Sequence, residues 1–233
     1  MSVKTNTMRP HNRAFVRATA RHLECPGPIF EFGALQVEDR PEIADLRDLF
    51  PGRRYVGCDV RPGRGVDRVD DVTAPNLPDN AAGTVLCIET FEHVFEIHRA
   101  FAEVFRILSP GGIFILTCPF YFHLHGYPDD YWRLTPSCLR RHLAPYAGRI
   151  VGWQGRAGRP HTVMASAVKA PAPRDGLVRA ERLIAEYQAW LRERARTGLA
   201  AGVCRSVRGL FQSRAERQQI RGHYRAEFWI DLE

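Results

Sequence analysis

The sequence predicts an α/β fold, a Rossmann-like, mostly parallel sheet with helices on both faces. Two observations carry this. Short apolar runs (PIFEF, RYVGCDV, TVLCIET, IFILTCPF) alternate with segments of helical apolar spacing, the order that builds parallel βαβ units. The runs TVLCIET and IFILTCPF are also continuously apolar, as central parallel strands buried on both faces must be.

Taken in order, residues 11 to 23 place Phe15, Val16, Ala18 and Leu23 among arginines and predict an N-terminal helix. PIFEF is the first strand. PEIADLRDLF reads as a helix with proline in its first turn, closed by Pro51-Gly52. RYVGCDV is the second strand and RVDDV a short third. TVLCIET follows a turn-rich stretch as the fourth. In HRAFAEVFRIL, Phe101, Val104, Phe105 and Leu108 share one helical side; SPGG ends it and IFILTCPF is the fifth strand. TPSCLRRHL predicts another helix. RIVGWQG and HTVMASAVK, joined by a Gly/Pro-bearing turn, predict a closing antiparallel pair. Residues 1 to 170 therefore form one domain, and 171 to 233 a helical C-terminal extension with an apolar stripe through Leu183, Ile184, Tyr187, Trp190 and Leu191. The stripe suits a lid, packing on the domain, or a homodimer.

Composition narrows the function classes. The chain has 233 residues and a net charge of +7, but its basic residues are dispersed and lack a nucleic-acid module, so no nucleic-acid partner is expected. No apolar run reaches the length of a membrane span, and the N-terminus lacks the apolar core of a signal peptide. Six scattered cysteines, several inside strand-like runs, read as buried thiols of a cytoplasmic protein.

Open parallel sheets bind ligands at the carboxyl ends of their strands. Three acids fall there: Glu31, Asp59 and Asp71. An adenosine-type ligand lying across those ends needs acceptors for its ribose hydroxyls and its adenine amino group, and an acid at the end of the second strand fits the ribose. With EFGALQ, YVGCDVRPGRGVDRVDDV, LPDNAAGTVLCIETFEHV, RILSPGGIFILTCPF and HGYPDDYWRLTPSCLRRHL, the chain resembles the class I S-adenosylmethionine-dependent methyltransferases, in the broad group of small-molecule and sugar-modifying enzymes. The resemblance covers about residues 27 to 170. It implies seven strands and S-adenosyl-L-methionine as cofactor. It places Glu31 and Gly33 at the methionine part, Asp59 at the ribose, Val60 and Arg61 beside the adenine, Asp71 and Val72 at the adenine edge, and Glu89 and Thr90 near the cofactor and the acceptor mouth. The sequence departs from the family where further loop glycines are expected: Leu35 and Val37 stand there.

Methyl transfer to a hydroxyl needs alignment and a base. Candidate catalytic residues are His125, His93 and Asp130. Candidate acceptor contacts are Glu92, His123, Tyr127, Asp129, Tyr131, Trp132 and Arg133, in loops rich in polar and aromatic groups. Asp129 and Asp130 with His125 could hold a divalent cation such as Mg. The resulting expectation is an O-methyltransferase acting on a sugar, oligosaccharide or glycosylated metabolite. The alternatives are another small-molecule acceptor (phenolic oxygen or nitrogen) and a non-catalytic cofactor-binding or scaffold protein.

Overall fold

The computed structural model describes residues 9–36, 41–126, 129–206 and 225–232. The helices are α1 (Pro10–His22), α2 (Pro41–Ala44), α3 (Ile97–Ile107), α4 (Pro136–His142) and α5 (Gly176–Ser206). The strands are β1 (Ile29–Phe32), β2 (Tyr55–Asp59), β3 (Arg68–Val69), β4 (Ala82–Ile88), β5 (Leu108–Pro119), β6 (Gly148–Arg156), β7 (Arg159–Val168) and β8 (Ala226–Leu232). They form one sheet in the order β3-β2-β1-β4-β5-β7-β6-β8. The first five are parallel, and β7, β6 and β8 are antiparallel.

The central strands sit where their apolar runs require. All residues of β1 and β4 are buried. Alternate side chains feed two cores. One lies under α3 and α4 and contains Phe32, Phe91, Phe101, Phe114 and Tyr146. The other lies under α1 and α5 and contains Phe15, Ile29, Leu86, Ile113 and Tyr187. In α3, Ile97, Ala100, Phe101, Val104 and Ile107 are buried, the stripe that a 3.6-residue period puts on one face. Helix α4 starts with Pro136 behind Thr135, whose hydroxyl accepts the Cys138 N–H at 3.1 Å.

Two expectations are corrected. PEIADLRDLF is not one helix but a single turn, α2, and a 3-10 turn at Arg47–Leu49. Between them the Asp45 carboxylate accepts the Arg47 N–H at 3.0 Å, a side-chain bond that competes with the helical ladder. The C-terminal extension is not helical throughout: β8 adds an eighth strand to the seven expected, pairing with β6 from Gly148↔Leu232 to Gln154↔Ala226. The stripe expected to suit a homodimer is largely spent within the chain. Leu183, Tyr187 and Leu191 are buried, with Tyr187 edge-on to Phe15 at 5.7 Å and to Phe228 at 5.8 Å.

Candidate functional site

The carboxyl ends of β1 to β5 come together at one edge of the sheet. Glu31, inside β1, is buried and accepts a 2.7 Å hydrogen bond from the Tyr55 hydroxyl. Burial pushes its carboxyl up to about 7, against the pull of Tyr55 and Arg47. Gly33 opens the next turn at φ +85°, a left-handed conformation that favours glycine. It has no room for a side chain, since a Cβ there would stand 2.2 Å from the Thr90 hydroxyl oxygen. That hydroxyl donates to the carbonyls of Phe32 (3.1 Å) and Ile88 (3.2 Å), so Thr90 ties the ends of β1 and β4 together.

The missing glycines of this turn reappear across from it. Leu35 occupies space that a side chain on Gly63 would need, its Cδ1 lying 2.4 Å from the position of a Cβ. The Gln36 N–H donates to the Arg64 carbonyl at 2.9 Å. Leu35 thus packs against the loop after β2, whose glycine accepts the bulk. Val37 lies outside the described residues.

Asp59 ends β2 with its side chain 11% exposed, and its Oδ1 accepts the Arg61 N–H at 3.0 Å. Val60 is exposed beside it. Asp71 follows β3, and its Oδ1 accepts from the Thr73 N–H (2.8 Å) and hydroxyl (2.9 Å). The Val72 side chain is buried in the core, so only its backbone can face an adenine edge.

Beyond β4 the polar groups are deeper. Glu89 has φ +53° and Glu92 sits in the 3-10 turn Phe91–His93. Among the described residues neither carboxylate has a hydrogen-bond partner, and no Glu92 side-chain surface is exposed. Asn12 and Thr117 lean toward Glu89 without completing hydrogen bonds, and the Arg9 charge favours its ionised form. Burial, the largest influence, nevertheless raises the Glu89 carboxyl above its ordinary value. Glu92 is raised well above its own, by burial and then by the Glu89 charge. Arg9 and Asn12 were not among the sequence-derived candidates; the polar cluster RPHNR opening α1 was the signal for them.

The loop between β5 and α4 closes over this pair. Tyr131 and Trp132 donate their N–H groups to the Glu92 carbonyl (2.7 and 3.3 Å), and the Trp132 indole donates to the Val94 carbonyl at 2.9 Å. His93 Nδ1 bonds the Asp129 carbonyl, and its Nε2 stands 3.8 Å from Glu92 Oε1. His125 meets His93 edge to face at 4.9 Å, and its Nδ1 is 3.0 Å from Asp130 Oδ2. Burial lowers the His125 imidazole, with Asp130 opposing. Burial would raise Asp130, but the two-pronged Arg133 guanidinium and the His125 N–H bring it to about 2.

Among the expected residues, Glu92, His93, His125, Asp130 and Arg133 converge. Others have structural work: Trp132 pins the loop, and His123 packs on Phe122 at 4.0 Å between ring centroids while its carbonyl accepts from Arg133. Tyr127 lies outside the described residues. The expected cation arrangement of His125 with Asp129 and Asp130 does not form. The Asp129 carboxylate turns to the Tyr131 hydroxyl at 2.9 Å, and Asp130 is engaged by Arg133.

The family model described as "Methyltransferase domain" matches residues 45–116, spanning β2 to β5 and the turn bearing Glu89 and Glu92. Over those residues the chain is similar to the methyltransferase domain family. A Mycolicibacterium smegmatis protein named "Probable S-adenosylmethionine-dependent methyltransferase" is 28% identical over 81 residues, 35% of this chain and 27% of the relative. The match thus spans about a quarter of that protein's length. Two solved structures share this fold. The Burkholderia thailandensis 1,6-didemethyltoxoflavin-N1-methyltransferase, with its substrate and S-adenosylhomocysteine bound, has TM-score 0.51 and 16% identity, over 69% of this chain and 78% of that one. The cyclase SpnF has TM-score 0.50 and 15% identity, over 70% and 82%. No helix among the described residues is long and apolar enough to cross a membrane.

Proposed function

We propose that this chain is an S-adenosylmethionine-dependent O-methyltransferase that acts, in the cytoplasm, on a hydroxyl of a sugar, oligosaccharide or glycosylated metabolite. One observation carries the reading: two buried carboxylates, Glu89 and Glu92, without hydrogen-bond partners among the described residues, stand at the strand ends beside His93 and His125. Buried polar groups are ordinarily satisfied, and those left open at a cleft point to a ligand.

Methyl transfer from a sulfonium is an in-line displacement, so the site must align acceptor and methyl and deal with the acceptor's proton. The cofactor would lie across Gly33, Asp59 and Asp71, and the acceptor oxygen would approach the Glu92–His93–His125 cluster. Phe95, Tyr121, Leu124 and Tyr131, from the turn after β4 and the loop after β5, are exposed, with Phe95 against Tyr131. Apolar faces beside polar groups suit a sugar ring, with C–H faces and hydroxyl edges. The same exposed aromatics favour a second reading, an aromatic metabolite methylated on phenolic oxygen or nitrogen. A third rests on fold alone: the cyclase SpnF shares the architecture, and Leu35 rather than a glycine stands in the turn after Gly33. The buried apolar stripe of α5 no longer argues for a homodimer.

Calorimetry with S-adenosylhomocysteine tests the reading. Binding is expected in the micromolar range, weakened roughly tenfold to a hundredfold by Asp59→Ala through loss of charge-assisted hydrogen bonds to the ribose. No binding by the wild-type chain would favour a scaffold.

A further inference from the structure

We infer that Glu92, His93 and His125 form a binding site for one divalent first-row transition-metal cation such as zinc. Each offers a ligand atom, and the three atoms lie within 4.8 Å of one another. A tetrahedral cation with ligands at 2.0–2.2 Å needs donors about 3.3 Å apart, so side-chain rotation closes the rest. Two imidazoles and one carboxylate are a common catalytic zinc set that leaves a coordination position open. Imidazole nitrogen also selects such cations over Mg, which prefers oxygen.

Two further features belong to a metal centre rather than to a chance cluster. Metal-bound histidines typically give their other ring nitrogen to a carbonyl or carboxylate, which fixes ring and tautomer. Here His93 Nδ1 faces the Asp129 carbonyl and must donate to it, leaving the lone pair on Nε2, the atom turned toward Glu92. His125 Nδ1 faces Asp130, itself clamped by Arg133. The second feature is Glu92. Its side chain has no exposed surface, and both oxygens lack a hydrogen-bond partner among the described residues. Its own backbone carbonyl is fixed by two N–H groups from the loop that carries the histidines' supports. A carboxylate held so rigidly, with its oxygens unspent beside two oriented imidazoles, is a ligand in waiting.

The role of such a cation rests on the methyl-transfer reading. The acceptor oxygen would take the open position, and its O–H bond would break with the proton passing to solvent water. The oxygen's electron pair would then form the O–CH3 bond as the S–CH3 bond breaks, leaving the pair on sulfur.

The binding claim needs no turnover assay. The full chain, stripped with chelator, is titrated with Co2+ and followed by visible absorption, then challenged with Zn2+. One equivalent of Co2+ should bind and be displaced by Zn2+. Glu92→Gln, which preserves shape, and His125→Asn should each weaken Co2+ binding at least tenfold, with unchanged circular dichroism. Asp130→Asn should weaken it by a smaller factor, since Asp130 only positions His125. Absence of stoichiometric binding, or wild-type binding by Glu92→Gln and His125→Asn, overturns the site. S-adenosylhomocysteine calorimetry on the same samples separates the two claims. Cofactor binding without Co2+ binding removes the cation alone, and the reverse removes methyl transfer while the site stands.

Discussion

The two halves of the strand-end site treat their acids in opposite ways. Around β1 to β3, Glu31, Asp59, Asp67, Asp70 and Asp71 each bond a neighbour within the chain: Tyr55, the Arg61 N–H, Arg47, Arg68 and Thr73. Beyond β4, Glu89 and Glu92 are buried with their oxygens unspent. An acid capped by its own loop shapes a scaffold and has accepting capacity to spare for a ribose. A buried acid with no cap costs folding free energy unless something else meets it. In the proposed reading, the first half would hold the cofactor. The second would meet the acceptor.

Substitutions in the two halves should therefore fail differently. The largest effect is expected at His125, where truncation to alanine should lower turnover roughly a hundredfold to ten-thousandfold. Calorimetry on that variant should find S-adenosylhomocysteine affinity within a few-fold of wild type; an equal loss of both would erase the distinction between the halves. Next comes Gly33→Ala, which strains a left-handed residue and drives a methyl into Thr90. Strain and overpacking together cost about 4 kcal/mol, to be read by denaturant unfolding. A stable Gly33→Ala protein would mean that the tie between β1 and β4 is looser than it looks.

The smallest of the three is a pH effect at Glu31. Its folded value, about 7, lies above the ordinary 4.5, so the native state holds a proton that the unfolded state has lost. Its contribution to stability is therefore whole below about 4.5 and is lost as pH rises through 7. Glu31→Gln keeps an acceptor for Tyr55 and removes the titration. It should flatten that decline and gain at most about 3 kcal/mol at pH 8. Unfolding curves at pH 5 and pH 8 check it, and a variant whose pH dependence matches wild type would show that Glu31 is not the group responsible.

Legibility from sequence followed the same division. The strands β1, β2, β4 and β5 were plain because each apolar run is long enough to be buried alone. The register of Glu31, Asp59 and Asp71 then followed from those strands. On the other side, His93, His125 and Asp130 stood out through the sheer density of polar groups around them. Arg9 and Asn12 did not, because they reach Glu89 from a helix some eighty positions earlier, and only tertiary packing brings them there. The same reason hid β8. AEFWIDL is half-exposed, and its partner β6 lies more than seventy positions upstream, so nothing local distinguishes it from the helical tail. PEIADLRDLF erred the other way, since helical spacing said nothing of the Asp45 side chain that interrupts it.

Helix α1 has a consequence for the order of folding. It is held by His11 to Thr162 at 3.0 Å, by Thr19 to Ser166 at 3.1 Å, and by Arg21 and His22 to Glu186. Each contact closes a loop of roughly 150 residues, and such closures are entropically slow compared with local pairing. The parallel core can assemble from β1 to β5 first, but the arginine and asparagine that front Glu89 are docked only once β7 and α5 have formed. The site is thus completed by contacts between residues far apart in sequence. A nascent or partly folded domain would have the strand-end loops of β1 to β3 before Arg9 and Asn12 reached Glu89.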